Sequence, residues 1–457
     1  MEGLLFNDLL WAIGAAIAAG VIFTGIGLIS GTDETSTIAP LTLLIVLLGF
    51  PAPAIFSWFI SAAVSKHMTH SIPTALMGVP GDTMAVPLLE NASILRRLGV
   101  PHIALRKMLS GGIISAFVAV PVSVGFASLL APYAEFVKSW APIIFAIAAI
   151  VIAYTSRGKW ASIFVLIPFA FFIQGVNKMA IAGLGHGIFI SIFLGIAIGP
   201  MFADIVTLLS PLSRQHLLRK EPREFWLAPD LKMWNGYLPN PFKILSRVQL
   251  KYVLSASFIS SLTFTFSPVG MTVMCGEIVC SKVKSLYKRL TTALAAQESV
   301  TEATYIAETI IPLVAFGIPL SPVALGPAFP LFNAPPVFTT VPVHNLHTML
   351  EPYQFLLYGL IGVLVAFLMS YPFAMNYARR ASVWVMRVVS QEAIISMFTG
   401  LIIVLSYYEA GAIGIGIAIT VAVFGGIINK YFGVHTGVQY MTYYASSWLM
   451  LTLFGIK

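Results

Sequence analysis

Long apolar segments, separated by short polar stretches, run along nearly the whole chain. A bilayer core takes about 20 apolar residues per helix, so these segments predict membrane spans. In the first half they are Asp8–Ser30, Gly111–Leu130, Ala141–Tyr154, Ile163–Gln174 and His186–Leu209. In the second half they are Val253–Phe266, Tyr353–Tyr371, Ala393–Tyr407, Ile413–Ile428 and Gln439–Phe454. The pattern predicts an all-α polytopic membrane protein with about 10 to 13 transmembrane segments.

Other apolar regions are short or interrupted. Ile38–Phe50 and Ala54–Val64 are too short for two straight spans, and prolines and glycines break Ser71–Leu89. The region between Lys288 and Tyr353 is similarly broken. Proline removes a backbone donor and glycine admits angles closed to other residues. The sequence therefore predicts broken helices or re-entrant segments in both halves.

The longest polar stretch, Pro211–Lys251, separates the two halves. It is rich in Lys and Arg, with Trp226 and Trp234 interleaved, which is typical of an amphipathic segment on a membrane surface. We therefore predict an N-terminal transmembrane repeat at 1–210, a basic cytoplasmic amphipathic connector at 211–250 and a C-terminal transmembrane repeat at 251–457.

Composition supports lipid as the solvent. The mean hydropathy is +0.90 and 10% of residues are charged, against about 25% in soluble domains. The net charge of +8 does not indicate nucleic acid, because the basic residues cluster in a few loops. Cys275 and Cys280 do not share a helix face, so no disulfide or metal site is expected. The acidic start, Met1 to Asp8, predicts that the first apolar segment stays as a span.

A short motif occurs twice, each element recurring 239 residues later (311 minus 72, for example). Ile72-Pro73, Gly78-Val79-Pro80 and Ala85 recur as Ile311-Pro312, Gly317-Ile318-Pro319 and Ala324. Many transporter folds are built from such internal repeats.

The basic residues predict opposite orientations for the two copies. The first motif is followed by the basic stretch Arg96–Lys107, so its far flank is expected in the cytoplasm. The second is preceded by Lys and Arg and followed by Val343–Gln354, which has neither, so its far flank is expected outside. This is the pattern of an inverted-topology repeat. Lys66, just before the first motif, does not fit it.

The two interruptions predict a binding site near the bilayer midplane. Irregular backbone survives at membrane depth only where protein or water shields it, although kinks that aid packing are the simpler alternative. Helix N-termini at the breaks expose N–H groups that hold a carboxylate. The predicted substrate-binding residues are Thr35, Ser36, Gly78, Pro80, Gly81, Thr83, Gly317, Pro319 and Ser321.

Acidic residues flank both breaks and are candidates for coupling-ion binding. They are Asp33, Glu34, Asp82, Glu302 and Glu308. One interpretation is that they bind Na⁺ or carry protons that are transported with an anionic solute. Another is that they bind a cationic or zwitterionic solute directly. A simpler alternative is that they are acidic residues at the interface between membrane and water, with no role in binding. His67-x-x-His70 and His344-x-x-His347 are expected to be polar residues at the membrane edge rather than metal ligands, and no cofactor is expected beyond the coupling Na⁺ or H⁺.

The broken segments resemble the TctA-type permease of the tripartite tricarboxylate transporter family. The matching stretches are Ser30-Gly31, Ala39-Pro40-Leu41-Thr42, Ser71-Ile72-Pro73, Gly78-Val79-Pro80-Gly81, Pro268 with Gly270, Ile311-Pro312 and Phe316-Gly317-Ile318-Pro319. Thr69-His70 replaces a Gly-Gly pair, Glu302–Glu308 lies where the family has Asn-Asn, and Leu320 replaces a final glycine. These departures favour a cationic solute, whereas the resemblance favours a carboxylate.

The resemblance implies a multi-pass permease of a prokaryotic cytoplasmic membrane. It also implies a small membrane subunit and an extracytoplasmic solute-binding protein as partners; a homodimer is a further expectation. We predict a secondary active transporter working by alternating access, and not an enzyme. An intramembrane aspartyl protease is disfavoured: Gly81-Asp82 lacks the first glycine of Gly-x-Gly-Asp, and the chain has no Tyr-Asp pair. A channel is the remaining alternative, and the absence of a Gly-x4-Gly-Lys-Ser/Thr loop disfavours an ATP-driven pump.

Overall fold

The computed structural model is built from helices. It describes residues 2–155, 158–185, 187–209, 211, 227, 232, 234–265, 268–332, 345–389 and 391–454, and within these ranges it contains no strand. Among the described residues, five helices are long and apolar enough to cross a bilayer: Phe6–Gly27, Pro101–Ala141, Trp160–Leu184, Pro352–Val388 and Ile395–Phe432. The prediction of an all-α polytopic membrane protein is confirmed.

The first half contains eight helices within its described residues. They are α1 (Glu2–Gly27), α2 (Glu34–Leu47), α3 (Ala52–Ile72), α4 (Leu89–Arg97), α5 (Pro101–Leu130), α6 (Ala134–Thr155), α7 (Trp160–Leu184) and α8 (Ile190–Leu209). Two boundaries differ from the sequence prediction. The apolar segments predicted to begin at Ile38 and at Gly111 belong to helices that begin earlier, at Glu34 in α2 and at Pro101 in α5.

The described part of the second half continues the series. It contains α9 (Pro241–Ile244), α10 (Arg247–Ser260), α11 (Pro268–Lys282), α12 (Leu286–Ile311), α13 (Pro322–Leu325), α14 (Pro352–Val388), α15 (Gln391–Phe432) and α16 (Thr436–Phe454). The predicted broken region after Lys288 was wrong in its first part, because α12 runs unbroken to Ile311. Half of the predicted connector, including Trp226, lies outside the described residues, as does His344.

The repeated motif has the same backbone geometry in both halves. α3 ends at Ile72 and a π-turn follows at Pro73–Met77; α12 ends at Ile311 and a π-turn follows at Pro312–Phe316. Each turn ends at a glycine in the left-handed region, with φ 72° at Gly78 and 66° at Gly317. The N–H of each glycine donates to the carbonyl of the proline five residues earlier, at 3.0 and 2.9 Å. Only glycine adopts such a φ without strain, which explains why a glycine recurs at this position of the motif.

The two halves interlock through these helices. α3 packs on α1 of its own half and on α14 of the second half, while α12 packs on α10 and α11 of its own half and on α5 of the first. All residues of α3, and all of α12 from Leu290 onward, are buried. A helix buried on every side belongs to the centre of a structure, so α3 and α12 form the middle of the molecule.

Small residues bring the interlocking helices together. A Cβ on Gly111 of α5 would collide with the Ala295 carbonyl of α12, and the Ser115 hydroxyl donates to the Ser299 carbonyl at 2.6 Å. On the other side, a Cβ on Gly362 of α14 would lie 2.9 Å from the Ser57 carbonyl of α3. Close helix contact through small residues is typical of membrane proteins. The crossings hold α3 and α12 at fixed positions.

Helices α6, α7 and α8 of the first half form a second packed group with α15 and α16 of the second half. α8 packs on α15, and α16 packs on α6 and α7. α15 contains non-helical angles at Ala410 and Gly411. Just before this kink, the Glu409 carboxylate accepts hydrogen bonds from the backbone N–H groups of Phe189, Ile190 and Ser191 at 2.6–2.7 Å. Glu409 therefore satisfies the free N–H groups at the start of α8.

Candidate functional site

A cluster of charged side chains lies between α3 and α12, fully buried. We call it the central polar cluster and define it as Glu34, Lys66, His67, His70, Asp82, Glu298 and Glu302; its members are 0–4% exposed. Buried charges are costly unless they are paired. In a membrane-spanning segment such groups are functional candidates by default.

Lys66 connects two segments of the first half. Its Nζ donates to Glu34 Oε1 at 3.0 Å and to Asp82 Oδ2 at 2.8 Å. Glu34 is the first residue of α2, and Asp82 follows the π-turn after α3. The lysine thus holds the beginning of α2 and the broken segment against the middle of α3.

The two histidines connect α3 with α12 of the other half. His67 Nδ1 lies 3.0 Å from Glu302 Oε2. His70 Nε2 lies 3.2 Å from Glu298 Oε1, while its Nδ1 lies 2.7 Å from Asp82 Oδ2. The expectation that this histidine pair sits at the membrane edge was wrong, because both rings are completely buried. One helical turn of α3 therefore faces carboxylates of both halves.

Asp82 and Ser321 occupy equivalent positions in the two motifs and make equivalent contacts. Asp82 Oδ1 accepts from the Ala85 N–H at 3.1 Å, and Ser321 Oγ accepts from the Ala324 N–H at 3.0 Å. The Ser321 hydroxyl also donates to the Glu308 carbonyl at 2.7 Å. An oxygen that accepts from the N–H three residues later is the usual cap of a turn. The second motif thus repeats the local fold of the first without its charge.

The start of α2 and the residues just before it lie between the segments that follow the two π-turns. On one side Gly31 donates to the Gly81 carbonyl at 2.8 Å and the Ser30 hydroxyl donates to the Pro80 carbonyl at 2.6 Å. On the other side a Cβ on Gly326 would lie 3.0 Å from Thr35 Oγ1. Segments that follow the two π-turns therefore approach each other around the start of α2.

The two π-turns differ in exposure. Beyond Gly78, Val79 is 43% exposed and Thr83 is exposed, and Arg96 lies over Gly78 and donates to the Met77 carbonyl at 2.7 Å. Beyond Gly317, the chain through Ser321 is almost entirely buried. Asn345 donates to the Gly317 carbonyl at 3.0 Å, and the His347 ring packs on the same glycine. The residues that follow the first turn are thus partly exposed, while those that follow the second are covered.

The remaining predicted residues are distributed around this centre. Ser36 and Pro319 are buried, and Thr83 is exposed. Asp33 precedes α2 next to the central polar cluster. Glu308 lies apart from it, with Oε2 accepting from the Val323 N–H at 3.2 Å. The structure thus brings Glu34, Asp82 and Glu302 together, while Glu308 lies beside the second motif.

Sequence reasoning missed the basic members of the cluster and Glu298. A pattern could have identified them, since Lys66 and His70 are four residues apart, as are Glu298 and Glu302. Residues with this spacing share a helix face. Two buried helices with one basic and one acidic face are natural partners.

Several polar atoms of this region have no hydrogen-bond partner in the structure. They are Glu34 Oε2, His67 Nε2, Glu298 Oε2, Glu302 Oε1 and the hydroxyl of Tyr305, whose ring packs edge-on against His67 at 4.6 Å. Buried polar groups are normally satisfied by protein, water or a ligand. These atoms therefore give the cluster the capacity to bind a solute, an ion or protons.

A separate apolar groove of about 530 Å³ lies away from the cluster. Residues of α5, α9, α10 and α14 line it, among them Phe117, Phe242 and Phe367. It lacks the charged groups that recognise a small polar solute.

Comparison with known families places the chain with membrane transport proteins. The model described as "Tripartite tricarboxylate transporter TctA family" matches residues 13–436, a range that includes both π-turns and the whole central polar cluster. No curated protein and no solved structure matches the chain.

Proposed function

We propose that this chain, which belongs to the tripartite tricarboxylate transporter TctA family, moves a small carboxylate-bearing solute across the cytoplasmic membrane of a prokaryote. The family is that of the large permease subunit of a tripartite transporter. Transport is secondary, coupled to Na⁺ or H⁺, and proceeds by alternating access. The observation that carries this proposal is the central polar cluster between two copies of the same broken turn.

The cluster supports carboxylate binding through its basic side chains. Lys66, His67 and His70 each contact a carboxylate of the protein at 2.7–3.2 Å. A solute carboxylate makes the same type of charge-assisted hydrogen bond. The solute therefore competes with the protein's own acids for these three donors, together with free N–H groups of the broken segments.

The same competition supports coupling to a cation. When a solute carboxylate takes a basic partner, the displaced protein carboxylate becomes a buried, unpaired charge, which is strongly unfavourable. A proton or a Na⁺ ion bound to that carboxylate removes the penalty. Solute and cation then enter together, as symport requires.

The interlocked halves support alternating access. His67 with Glu302, and His70 with Glu298, are contacts between α3 and α12. A solute that exchanges these pairs changes the strength of the contact between the halves. Binding at the cluster is thereby linked to their relative movement.

Uptake into proteoliposomes tests the function. The purified chain is reconstituted with any accessory subunits encoded beside it, and accumulation of radiolabelled citrate is measured under an imposed Na⁺ or proton gradient. We expect gradient-dependent accumulation that unlabelled di- and tricarboxylates inhibit. Inhibition by amines, and not by carboxylates, would instead support a cationic solute, which the unpartnered oxygens of Glu34 and Glu302 favour.

Asp82→Asn is the matched variant. It keeps the shape of a side chain that contacts Lys66, His70 and the Ala85 N–H but removes its charge. We expect normal membrane insertion and at least tenfold slower uptake, with Thr83→Ser, at the exposed neighbouring position, close to wild type. Full uptake by Asp82→Asn would remove this carboxylate from the mechanism.

A further inference from the structure

Lys66 is placed in an unusual way for a lysine in a membrane protein. Lysines near a bilayer extend their charged end to the membrane surface, but the whole side chain of Lys66 is buried in the middle of α3. Its ammonium group lies 3.0 Å from Glu34 Oε1 and 2.8 Å from Asp82 Oδ2. The chain therefore holds a cation of its own between two carboxylates.

The groups around this ammonium have the arrangement of a cation site. Glu34, His70 and Asp82 each offer one ligand atom, and these atoms lie within 4.8 Å of one another. Hard cations such as Na⁺ prefer carboxylate oxygens. The second oxygen of Glu34 is buried and has no partner, so the site has an acceptor beyond those that Lys66 uses.

The second half has no equivalent cation. The residue 239 positions after Lys66 is Tyr305, and the residue equivalent to Asp82 is Ser321. The local fold of the motif is nevertheless the same in both halves. The pair of Lys66 and Asp82 is thus not needed to build the turn, which points to a role in binding.

We propose that the Lys66 ammonium occupies a monovalent cation site formed by Glu34 and Asp82, and that this site binds Na⁺ only when the ammonium is removed. The role of this site in transport rests on the proposed function. The cation at the site is then a side chain of the protein itself. A free Na⁺ ion and the ammonium cannot both lie between the same two oxygens. The native protein therefore does not require Na⁺ at this position.

Binding of ²²Na⁺ to the purified full chain in nanodiscs tests the proposal directly. Ionic strength is kept constant with choline, which is too large for the site. We expect no saturable binding by the native protein. Lys66→Met should bind ²²Na⁺ saturably, at least tenfold above the native level, because it removes the ammonium that lies between Glu34 and Asp82.

Two control variants isolate the site. Lys66→Arg keeps a cation on the side chain and should not bind ²²Na⁺. The double variant Lys66→Met/Asp82→Asn removes one positive and one negative charge and should lose the binding that Lys66→Met gains. Monodisperse elution and a measurable Tm establish that each protein is folded, and Lys66→Gln replaces Lys66→Met if the latter is not.

Two results would overturn the proposal. One is saturable ²²Na⁺ binding by the native protein that Asp82→Asn abolishes, and the other is a folded Lys66→Met or Lys66→Gln that binds none. A chain that fails to fold with either substitution would also count against it, since Na⁺ could then not replace the ammonium. These measurements need no transported solute, so they stand separately from a failure of citrate uptake.

Discussion

Gly81→Ala tests how closely the broken segment must approach α3. A Cβ on Gly81 would lie 2.6 Å from the Cβ and 2.7 Å from the Cα of His70, and closer still to the His70 carbonyl oxygen. The obstacle is backbone of a fully buried helix, which cannot rotate away. The broken segment itself must therefore move.

The size of that movement follows from the contact distances. Restoring an ordinary contact means a retreat of about 0.9 Å, to about 3.5 Å between carbon atoms. The same retreat lengthens the 2.8 Å contact between Asp82 and Lys66 to about 3.7 Å, beyond hydrogen-bonding distance. Overpacking costs about 1–3 kcal/mol and a lost hydrogen bond to a charged group about 1.5–3 kcal/mol, so we expect a loss of about 2.5–6 kcal/mol.

Thermal unfolding and uptake measure the effect together. The Tm of the purified variant should fall by about 3–6 °C, at about 1 °C per kcal/mol for a chain of 457 residues. Citrate uptake should fall at least tenfold, since about 1.4 kcal/mol at the site already gives that factor. Gly14→Ala is the matched control, because a Cβ on Gly14 in α1 meets nothing within 4 Å. Wild-type Tm and uptake in Gly81→Ala would refute the close packing on which this reasoning depends.

Three further substitutions test other contacts by thermal unfolding. Gly317→Ala places a side chain at φ 66° and against His347, and should cost about 1–3 kcal/mol; an unchanged Tm would contradict the left-handed turn. Glu409→Ala leaves the start of α8 uncapped and should cost about 2–4 kcal/mol, with faster hydrogen exchange there; equal exchange would contradict the cap. Gly111→Leu should separate α5 from Ala295 and lower the Tm by more than Gly111→Ala does; equal values would contradict the close crossing.

The irregular segments were predictable because their causes are local. Pro73 and Pro312 begin the two π-turns, and Gly78 and Gly317 end them. Prolines without such a glycine five residues later, such as Pro40 and Pro372, lie inside helices. Their constant spacing predicted that the two copies share one backbone, and they do. The opposite orientation of the halves in the membrane stays a prediction that rests on the distribution of Lys and Arg.

The long helix α12 was missed because high hydropathy identifies only those helices that face lipid. Gln297, Glu298, Glu302 and Glu308 lower the hydropathy of this stretch, so it was interpreted as broken. In the structure other helices surround it, and protein groups rather than lipid contact these side chains. A fully surrounded helix has no lipid face for the sequence to reveal.

Three of the seven members of the central polar cluster, Glu34, Asp82 and Glu302, were predicted from the sequence. The acids near the breaks stood out because charge is rare here, but the role of Lys66 and the two histidines depends on partners far away in the chain. His67 pairs with a residue 235 positions later, and His70 with one 228 positions later. No local pattern encodes such pairings, which arise only when α3 and α12 come together.

The unequal exposure of the two π-turns has a consequence for the shape of the working cycle. The residues after Gly78 are partly exposed and those after Gly317 are buried, although the two turns share one backbone. Under the proposed alternating access, each half would adopt the surroundings that its counterpart now has. Gly317 would then be the accessible turn and Gly78 the covered one, and the site would open to the opposite side of the membrane.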